Sequence, residues 1–279
     1  MTKAALVQLC SSDDPDQNAE IAAAFAIEAA SAGAALICTP EVTNCVSSDR
    51  AHQKSVLRGE AEDSTLAALR AVAAEHGVWI NIGSLALKVG HADSRFANRS
   101  FLIDPAGTIV ARYDKAHMFD VDVDPATTFR ESAGYAPGDQ LVLAGGPDGA
   151  TLGLTICYDM RFPEMYRRLA VAGADIITAH AAFTVPTGRA HWEVLLRARA
   201  IETGSFILAA AQTGRHLVRK GAPRESWGHS LAVSPWGEVL ADAGTEPGVT
   251  LVDLDLGAVA SARERIPNLR HARALYGPL

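Results

Sequence analysis

Residues 151–164 read TLGLTICYDMRFPE, and how this stretch is read decides the fold. Thr151 to Cys157 is rich in β-branched and other apolar residues, the make-up of a buried strand. Pro163 stands where a helix can start, because its fixed φ and missing N–H suit a first helical turn. Gly173 stands where that helix can stop, and Ala174 to Ala179 is apolar enough for a second buried strand. Strand, helix, strand is the repeating unit of layered α/β proteins.

Outward from this unit the alternation continues. Downstream, His191–Thr203 reads as a helix and Phe206–Ala211 as a strand. Ser230–Val233 and Val239–Leu240 read as a hairpin about Pro235-Trp236-Gly237, and Thr250–Leu254 as a last strand before a helix over 257–265. Upstream, strands at Ala4–Leu9 and Ala35–Cys38 flank a helix over 16–32. Its apolar face reads as Ile21, Ala24, Phe25, Ala29 and Ala32, with Gly33 as the stop. Ser64 caps a helix carrying Leu66, Leu69, Val72 and Ala73, which stops at Gly77; Val78–Ile82 is strand-like. Ser100–Ile103 and Ile109–Tyr113 flank a turn at Asp104-Pro105-Ala106-Gly107. Residues 114–140 break the rhythm as a long polar loop, whose Met118, Phe119, Phe129 and Tyr135 favour order. Mixed hairpins and crossovers argue against a purely parallel sheet. No Pro/Ser-rich linker divides the chain, so residues 1–279 read as one α/β domain of sheets layered with helices.

Composition narrows the function. The chain has 279 residues, 48% hydrophobic and 20% charged, which excludes a disordered polymer and suffices for a core without staples. A formal net charge of −7 with no long basic run argues against nucleic-acid binding. Cys10, Cys38, Cys45 and Cys157 form no C-x-x-C pair and read as reduced thiols of a cytoplasmic protein. No signal peptide precedes Ala4, and no apolar run reaches the ~18 residues of a membrane span. The chain lacks G-x-S-x-G, H-E-x-x-H, the phosphate-binding loop and G-x-G-x-x-G, and its nine histidines are scattered. No metal and no organic cofactor is indicated.

Three polar residues close strand-like runs: Glu41 after Thr39-Pro40, Lys115 after Tyr113-Asp114, and Cys157. Active-site groups of α/β layers gather at such strand ends. A thiol that attacks a carbonyl, a carboxylate that takes its proton and an ammonium that steadies an oxyanion are the parts of covalent acyl transfer. Spacing alone is unspecific, because any chain of this size has such residues.

The local sequences are specific. Thr39-Pro40-Glu41, Tyr113-Asp114-Lys115-Ala116-His117-Met118-Phe119-Asp120 and Gly153–Glu164 resemble, in order, the three signature blocks of the nitrilase superfamily, the carbon–nitrogen hydrolases. The resemblance runs on through Thr187–Glu193, Arg197–Glu202, Trp227–Ser230 and Ser234–Gly237, in effect over the whole chain. It implies a four-layer α-β-β-α sandwich that pairs with a second copy into a homodimer or larger assembly. It implies Glu41 as general base, Lys115 as oxyanion-stabilising cation, Cys157 as nucleophile and the backbone N–H of Tyr158 as second oxyanion donor. Members carry a second glutamate sixteen residues after the lysine, where this chain has Glu131. On this reading Lys115 favours a Cys157 thiolate while Glu41 can hold the proton.

Cys157-Tyr158-Asp159-Met160-Arg161-Phe162-Pro163-Glu164 is most similar to the Nit branch. The implied reaction releases ammonia from a small carboxylate-bearing amide through a thioester on Cys157. Two substrate types occur in that branch, deaminated glutathione and the ω-amides α-ketoglutaramate and succinamate. Ala209–His216 resembles the first type, while Ala179-His180-Ala181-Ala182-Phe183 departs from the branch's usual Tyr-Pro-Ser-Ala-Phe. Arg215, Arg219, Lys220 and Arg224 form a basic loop suited to an anionic substrate. Arg161, Phe183, Thr184 and Arg215 are the candidate substrate contacts. A non-enzymatic scaffold would need a damaged site, and an acyltransferase would need a site for an acceptor amine. Trp192, Val194, Leu195, Leu196, Ala198 and Ile201 read as one wide apolar face, buried at an interface.

Overall fold

The computed structural model describes residues 1–90, 93–124, 127–219 and 223–273. Along the chain come β1 (Thr2–Gln8), α1 (Pro15–Ser31), β2 (Leu36–Cys38), α2 (Arg50–Val56), α3 (Ser64–His76), β3 (Trp79–Lys88), β4 (Phe96–Ile103) and β5 (Ile109–Asp114). A hairpin of β6 (Asp120–Asp124) and β7 (Thr127–Arg130) precedes β8 (Leu143–Gly145), β9 (Thr151–Gly153), α4 (Pro163–Val171), β10 (Ile176–Thr178), α5 (Val185–Thr203) and β11 (Phe206–Ala209). The ribbon β12 (Thr213–Arg215) and β13 (Glu225–Trp227), the hairpin β14 (Leu231–Val233) and β15 (Val239–Asp242), β16 (Gly248–Leu254) and α6 (Gly257–Arg265) follow.

Two six-stranded sheets result, ordered β16-β1-β2-β3-β4-β5 and β15-β14-β11-β10-β9-β8. Each has three parallel strands at its centre joined by crossover helices, α1 and α3 in one and α4 and α5 in the other. Antiparallel hairpins extend both edges.

The period of two along the strands explains the layers. Ala4, Leu6, Leu36, Cys38 and Leu102 share a core with Leu152, Ile176 and Leu208 of the opposite sheet. Their neighbours Ala5, Val7, Ile37, Phe101 and Ile103 instead pack with Ala22 and Ala26 of α1 and Leu69 and Ala73 of α3. The sheets face one another and the helices lie outside, which is the expected α-β-β-α order.

Several local expectations are corrected. The buried stripe of α1 is Asn18, Ala19, Ala22, Ala26 and Ala29, while Ile21 is exposed. Small side chains let this helix lie close on the sheet, so size, not hydrophobicity alone, selects the inward face. The cap of α3 is Asp63, whose carboxylate accepts from the Leu66 N–H; Ser64 is the first helical residue. The regular strand before the cysteine ends at Gly153. The chain then stays extended to Ile156, which bridges to His180, and Cys157 opens a tight turn. The helix expected from His191 starts at Val185, with Pro186 in its first turn. The polar stretch 114–140 contains the β6–β7 hairpin and a short 3-10 turn at Glu131–Ala133.

Candidate active site

Glu41 and Cys157 are aimed by irregular backbone, and Lys115 by a continuation of the β4–β5 pairing. Glu41 follows β2 and precedes Val42, whose φ of 48° is rare for a β-branched residue. Ser84 holds that bend, with its hydroxyl accepting from the Val42 N–H at 2.8 Å and its carbonyl accepting from the Thr43 N–H. Lys115 follows β5, its N–H donating to the Asn98 carbonyl at 2.9 Å. Cys157 has φ 49° and donates its N–H to the His180 carbonyl at 2.8 Å. The turn after it is pinned by Asp159, fully buried, which accepts from the Ile156 N–H, the Tyr113 hydroxyl and the His117 N–H, and pairs with the His117 ring. One carboxylate thereby ties the Cys157 turn to the segment that carries Lys115.

The side chains converge. Lys115 Nζ donates to Glu41 Oε1 at 2.8 Å and to the two oxygens of Glu131 at 3.0 and 2.9 Å. Asn98 Nδ2 donates to Glu41 at 2.9 Å and to Glu131 at 3.2 Å. The Ala182 N–H takes the other Glu41 oxygen at 2.8 Å, and the Phe119 N–H takes Glu131 Oε2 at 2.7 Å. Lys115 and Glu41 are buried, so their charges persist only because these donors and acceptors satisfy them.

Burial pushes the Glu41 carboxyl up, but Lys115, Arg224 and the hydrogen bond from Cys157 outweigh it and hold the group below the usual carboxylate range. Burial pulls Lys115 down, and Glu131 and Glu41 more than reverse this, leaving it well above an ordinary lysine. Burial and the Glu41 charge push the Cys157 thiol above its ordinary range, against the pull of Lys115. The expected pull of Lys115 toward a thiolate is present, but burial and the Glu41 charge outweigh it. These directions favour thiol and carboxylate over thiolate and carboxylic acid, because the negative charge is better placed on the carboxylate that already accepts from Lys115, Asn98 and Ala182.

Glu41, Lys115, Glu131, Asn98 and Cys157 line one cavity of about 800 Å³. Phe183 and Thr184 lie on its wall, with Cys45, Phe119, Phe129, Tyr135, Arg50 and Arg224. Arg161 lies off the lining, half-buried, its guanidinium 5.4 Å from the Phe183 ring and 5.9 Å from the Tyr158 ring. Arg215 is exposed on β12, away from the lining, and Arg219 pairs with Asp14. Of the basic loop, Arg224 is the member that reaches the cavity, while Lys220 falls outside the described residues. Asn98 and Arg50 went unremarked in the sequence, and Asp159 was read only as part of the branch motif. Asn98 had one signal, an amide inside an otherwise strand-like run.

His180, where the sequence departs from the Nit pattern, sits between the two sheets. Its Nδ1 accepts from the Ala210 N–H at 3.0 Å and its Nε2 donates to Asn81 Oδ1 at 2.7 Å. Gly83 makes room for it, since a Cβ there would lie 2.6 Å from His180 Cβ and 2.2 Å from the Thr39 carbonyl oxygen.

Two facing βαβ sheets with a buried glutamate, lysine and cysteine at strand ends define a class, and the chain belongs to the carbon-nitrogen hydrolase family, whose family model matches residues 3–264. Within it, a Yersinia enterocolitica protein named deaminated glutathione amidase is 40% identical over 274 residues, covering 96% of this chain and 92% of its own. The Caenorhabditis elegans NitFhit protein has the same fold, with a TM-score of 0.89 at 33% identity over 98% of this chain and 65% of its own. Saccharomyces cerevisiae Nit3, a member of branch 10 of the nitrilase superfamily, aligns with a TM-score of 0.82 at 28% identity, over 95% of this chain and 94% of its own. The chain is thus a hydrolase of carbon–nitrogen bonds, similar to Nit-branch proteins.

Proposed function

We propose that the chain, as a single domain, is a cysteine-dependent amidohydrolase acting on a small carboxylate-bearing amide, with deaminated glutathione as first choice. The observation that carries this is the convergence of the Cys157 thiol, the Glu41 carboxylate and the Lys115 ammonium on one cavity. Glu41 takes the thiol proton as sulfur attacks the amide carbon. The oxyanion settles on Lys115 and the N–H of Tyr158, which lies at the start of a 3-10 turn where no carbonyl of the turn reaches it. Contact of both Glu131 oxygens with one ammonium suits a single shared N–H, which leaves a Lys115 donor for the oxyanion. Collapse returns the proton from Glu41 to the leaving nitrogen and leaves an acyl thioester. Water, deprotonated by Glu41, then releases the acid. Glu131 and Asn98 hold Lys115 and Glu41 in place throughout. No step calls for a metal or organic cofactor.

The leaving group depends on the substrate. An ω-amide gives ammonia, as the sequence reading expected, whereas both amides of glutathione are substituted on nitrogen and give an amine. Support for deaminated glutathione over the ω-amides is the name of the Yersinia relative. The alternative is ω-amidase action on α-ketoglutaramate or succinamate. Four free cysteines fit a reducing cytoplasm. An assembly of at least two copies belongs to the same proposal, supported by apolar side chains left exposed on α5.

The test follows both acid and amine or ammonia from deaminated glutathione, α-ketoglutaramate, succinamate, an aliphatic nitrile and an N-carbamoyl amino acid. Expected are turnover of one of the first three and none by Cys157→Ala. Turnover by Cys157→Ala removes the thioester route. Turnover of only the nitrile or carbamoyl compound removes the amidase reading.

A further inference from the structure

Arg50 is a cation built into the cavity wall with no anion to match it. Its guanidinium rests against the backbone of Gly134, where a Cβ would lie 1.9 Å from Arg50 Cζ. It lies 5.0 Å from the centre of the Tyr135 ring and donates to Gln53 Oε1 at 2.7 Å. Gln53 in turn donates to the Tyr135 hydroxyl at 3.1 Å, and both residues are buried. The platform of Gly134, Tyr135 and Gln53 therefore holds the guanidinium in one place. Among the described residues no carboxylate lies within ion-pair distance of it.

The other cations on the wall are accounted for differently. Lys115 is neutralised by Glu41 and Glu131, and Arg130 pairs with Asp122 at 2.8 Å. Arg224 donates to the carbonyl of Ala182, the residue whose N–H holds Glu41, and so sits at the reacting end of the cavity. Arg50 perturbs Tyr135 instead. A preorganised, unpaired guanidinium in a cavity is a ready receptor for a carboxylate, which its planar fork can hold with two hydrogen bonds. The ordering cost that a free arginine would meet on binding has already been met by the platform.

The geometry points to Arg50 as a carboxylate subsite, which selects amides carrying a carboxylate away from the bond that is cleaved. This rests on the amidohydrolase reading for its consequence and on the platform alone for binding. Neither the sequence motifs nor the names of the relatives assign a role to this residue.

Succinamate and butyramide are near-isosteric amides that differ in one carboxylate, and their ratio isolates the subsite. In Arg50→Gln the ratio of kcat/KM for succinamate over butyramide should fall about 10- to 100-fold, mainly through KM, as expected for loss of one charged hydrogen-bonded pair. Arg50→Lys should fall between, because an ammonium keeps the charge and loses the fork. A purely structural role would lower both substrates together and leave the ratio unchanged, which overturns the proposal. Calorimetric titration of succinamate into Cys157→Ala, with and without Arg50→Gln, reads the subsite without turnover. Weaker binding in the double variant supports the subsite even if no amide is hydrolysed, in which case the amidase reading alone fails. Equal binding, or no binding by Cys157→Ala, overturns it.

Discussion

At the scale of single residues, Asn98 decides how two glutamates share one lysine. Its Nδ2 spans Glu41 and Glu131, its backbone carbonyl receives the Lys115 N–H, and its own Oδ1 is buried without a partner among the described residues. Because carboxylates only accept, they dictate which way the amide points, and an unpaired oxygen is the cost. Removing the amide takes one donor from each carboxylate, so the Glu41 carboxyl must rise from its lowered position. As the proposed base, Glu41 can act only when ionised, so activity should be lost as pH falls through its pKa. Asn98→Ala should therefore shift the acid limb of kcat/KM upward by about one pH unit, the equivalent of one charged hydrogen bond, with kcat down about 10-fold. Asn98→Asp, which adds a negative charge, should shift it further. A lower kcat with an unmoved acid limb would show that Asn98 merely supports the strand. Glu41, Lys115 and Cys157 were legible in the sequence because each stands in a local block at the end of a strand. Asn98 lies 57 residues from Glu41 along the chain, and Arg50 meets Gly134 across an even longer separation. Such roles are defined by contacts that no local pattern encodes.

At the scale of elements, α5 shows what periodicity reveals and where it stops. Its sequence predicts Trp192, Val194, Leu195, Leu196, Ala198 and Ile201 on one face. In the structure Trp192, Leu196, Arg199, Ala200 and Thr203 face the core, while Val194 and Ile201 are 68% and 53% exposed. Those two lie seven residues apart, two helical turns, and so form a separate stripe roughly opposite Trp192. The stripe continues into the β14–β15 turn, where a Cβ on Gly237 would lie 2.5 Å from Ile201 Cγ1 and Trp236 is 41% exposed. Isolated exposed apolar residues are ordinary, whereas several on one side of the molecule suit the proposed contact between copies. Val194→Glu with Ile201→Glu should therefore reduce the mass seen by analytical ultracentrifugation to that of one chain while leaving the far-ultraviolet circular dichroism intact. A wild-type protein that sediments as one chain, or an assembly indifferent to both charges, would exclude this face. Composition alone could not divide the stripe from the core, because both are apolar and share one helix. The crossover strands, by contrast, were legible even at three residues, since β2 and β10 are short apolar runs bounded by helix stops.

At the scale of the whole molecule, two neutral histidines join segments distant in sequence, and acid should separate them. His180 spans the sheets between Asn81 and Ala210. His216 donates from Nδ1 to the Ser11 carbonyl and accepts at Nε2 from the Ser226 hydroxyl, so it ties the β12–β13 ribbon to the segment after β1. Burial lowers His180 to about 3. Burial, helped by Arg224, lowers His216 to about 4. In the unfolded chain both titrate near 6.5. Below that value the unfolded state binds more protons than the native one, so stability falls with pH; it is whole above about 6.5 and stops falling only near 3 to 4. Each histidine contributes a slope approaching ~1.4 kcal/mol per pH unit, and the pair together removes ~4 kcal/mol between pH 7.5 and 5. Glu41, with its lowered carboxyl, adds a loss of the same sign only within and below the ordinary carboxylate range. Asp63 and Glu202, raised by burial, act there with the opposite sign. The window from about 6.5 to 5 therefore belongs mainly to the histidines. Urea unfolding at pH 7.5, 6 and 5 should show a falling midpoint at constant m-value, with about two protons taken up per chain on unfolding at pH 5. A flat stability across that window would mean that both imidazoles accept a proton in the native state, and that neither holds the sheets or the ribbon in the neutral form described.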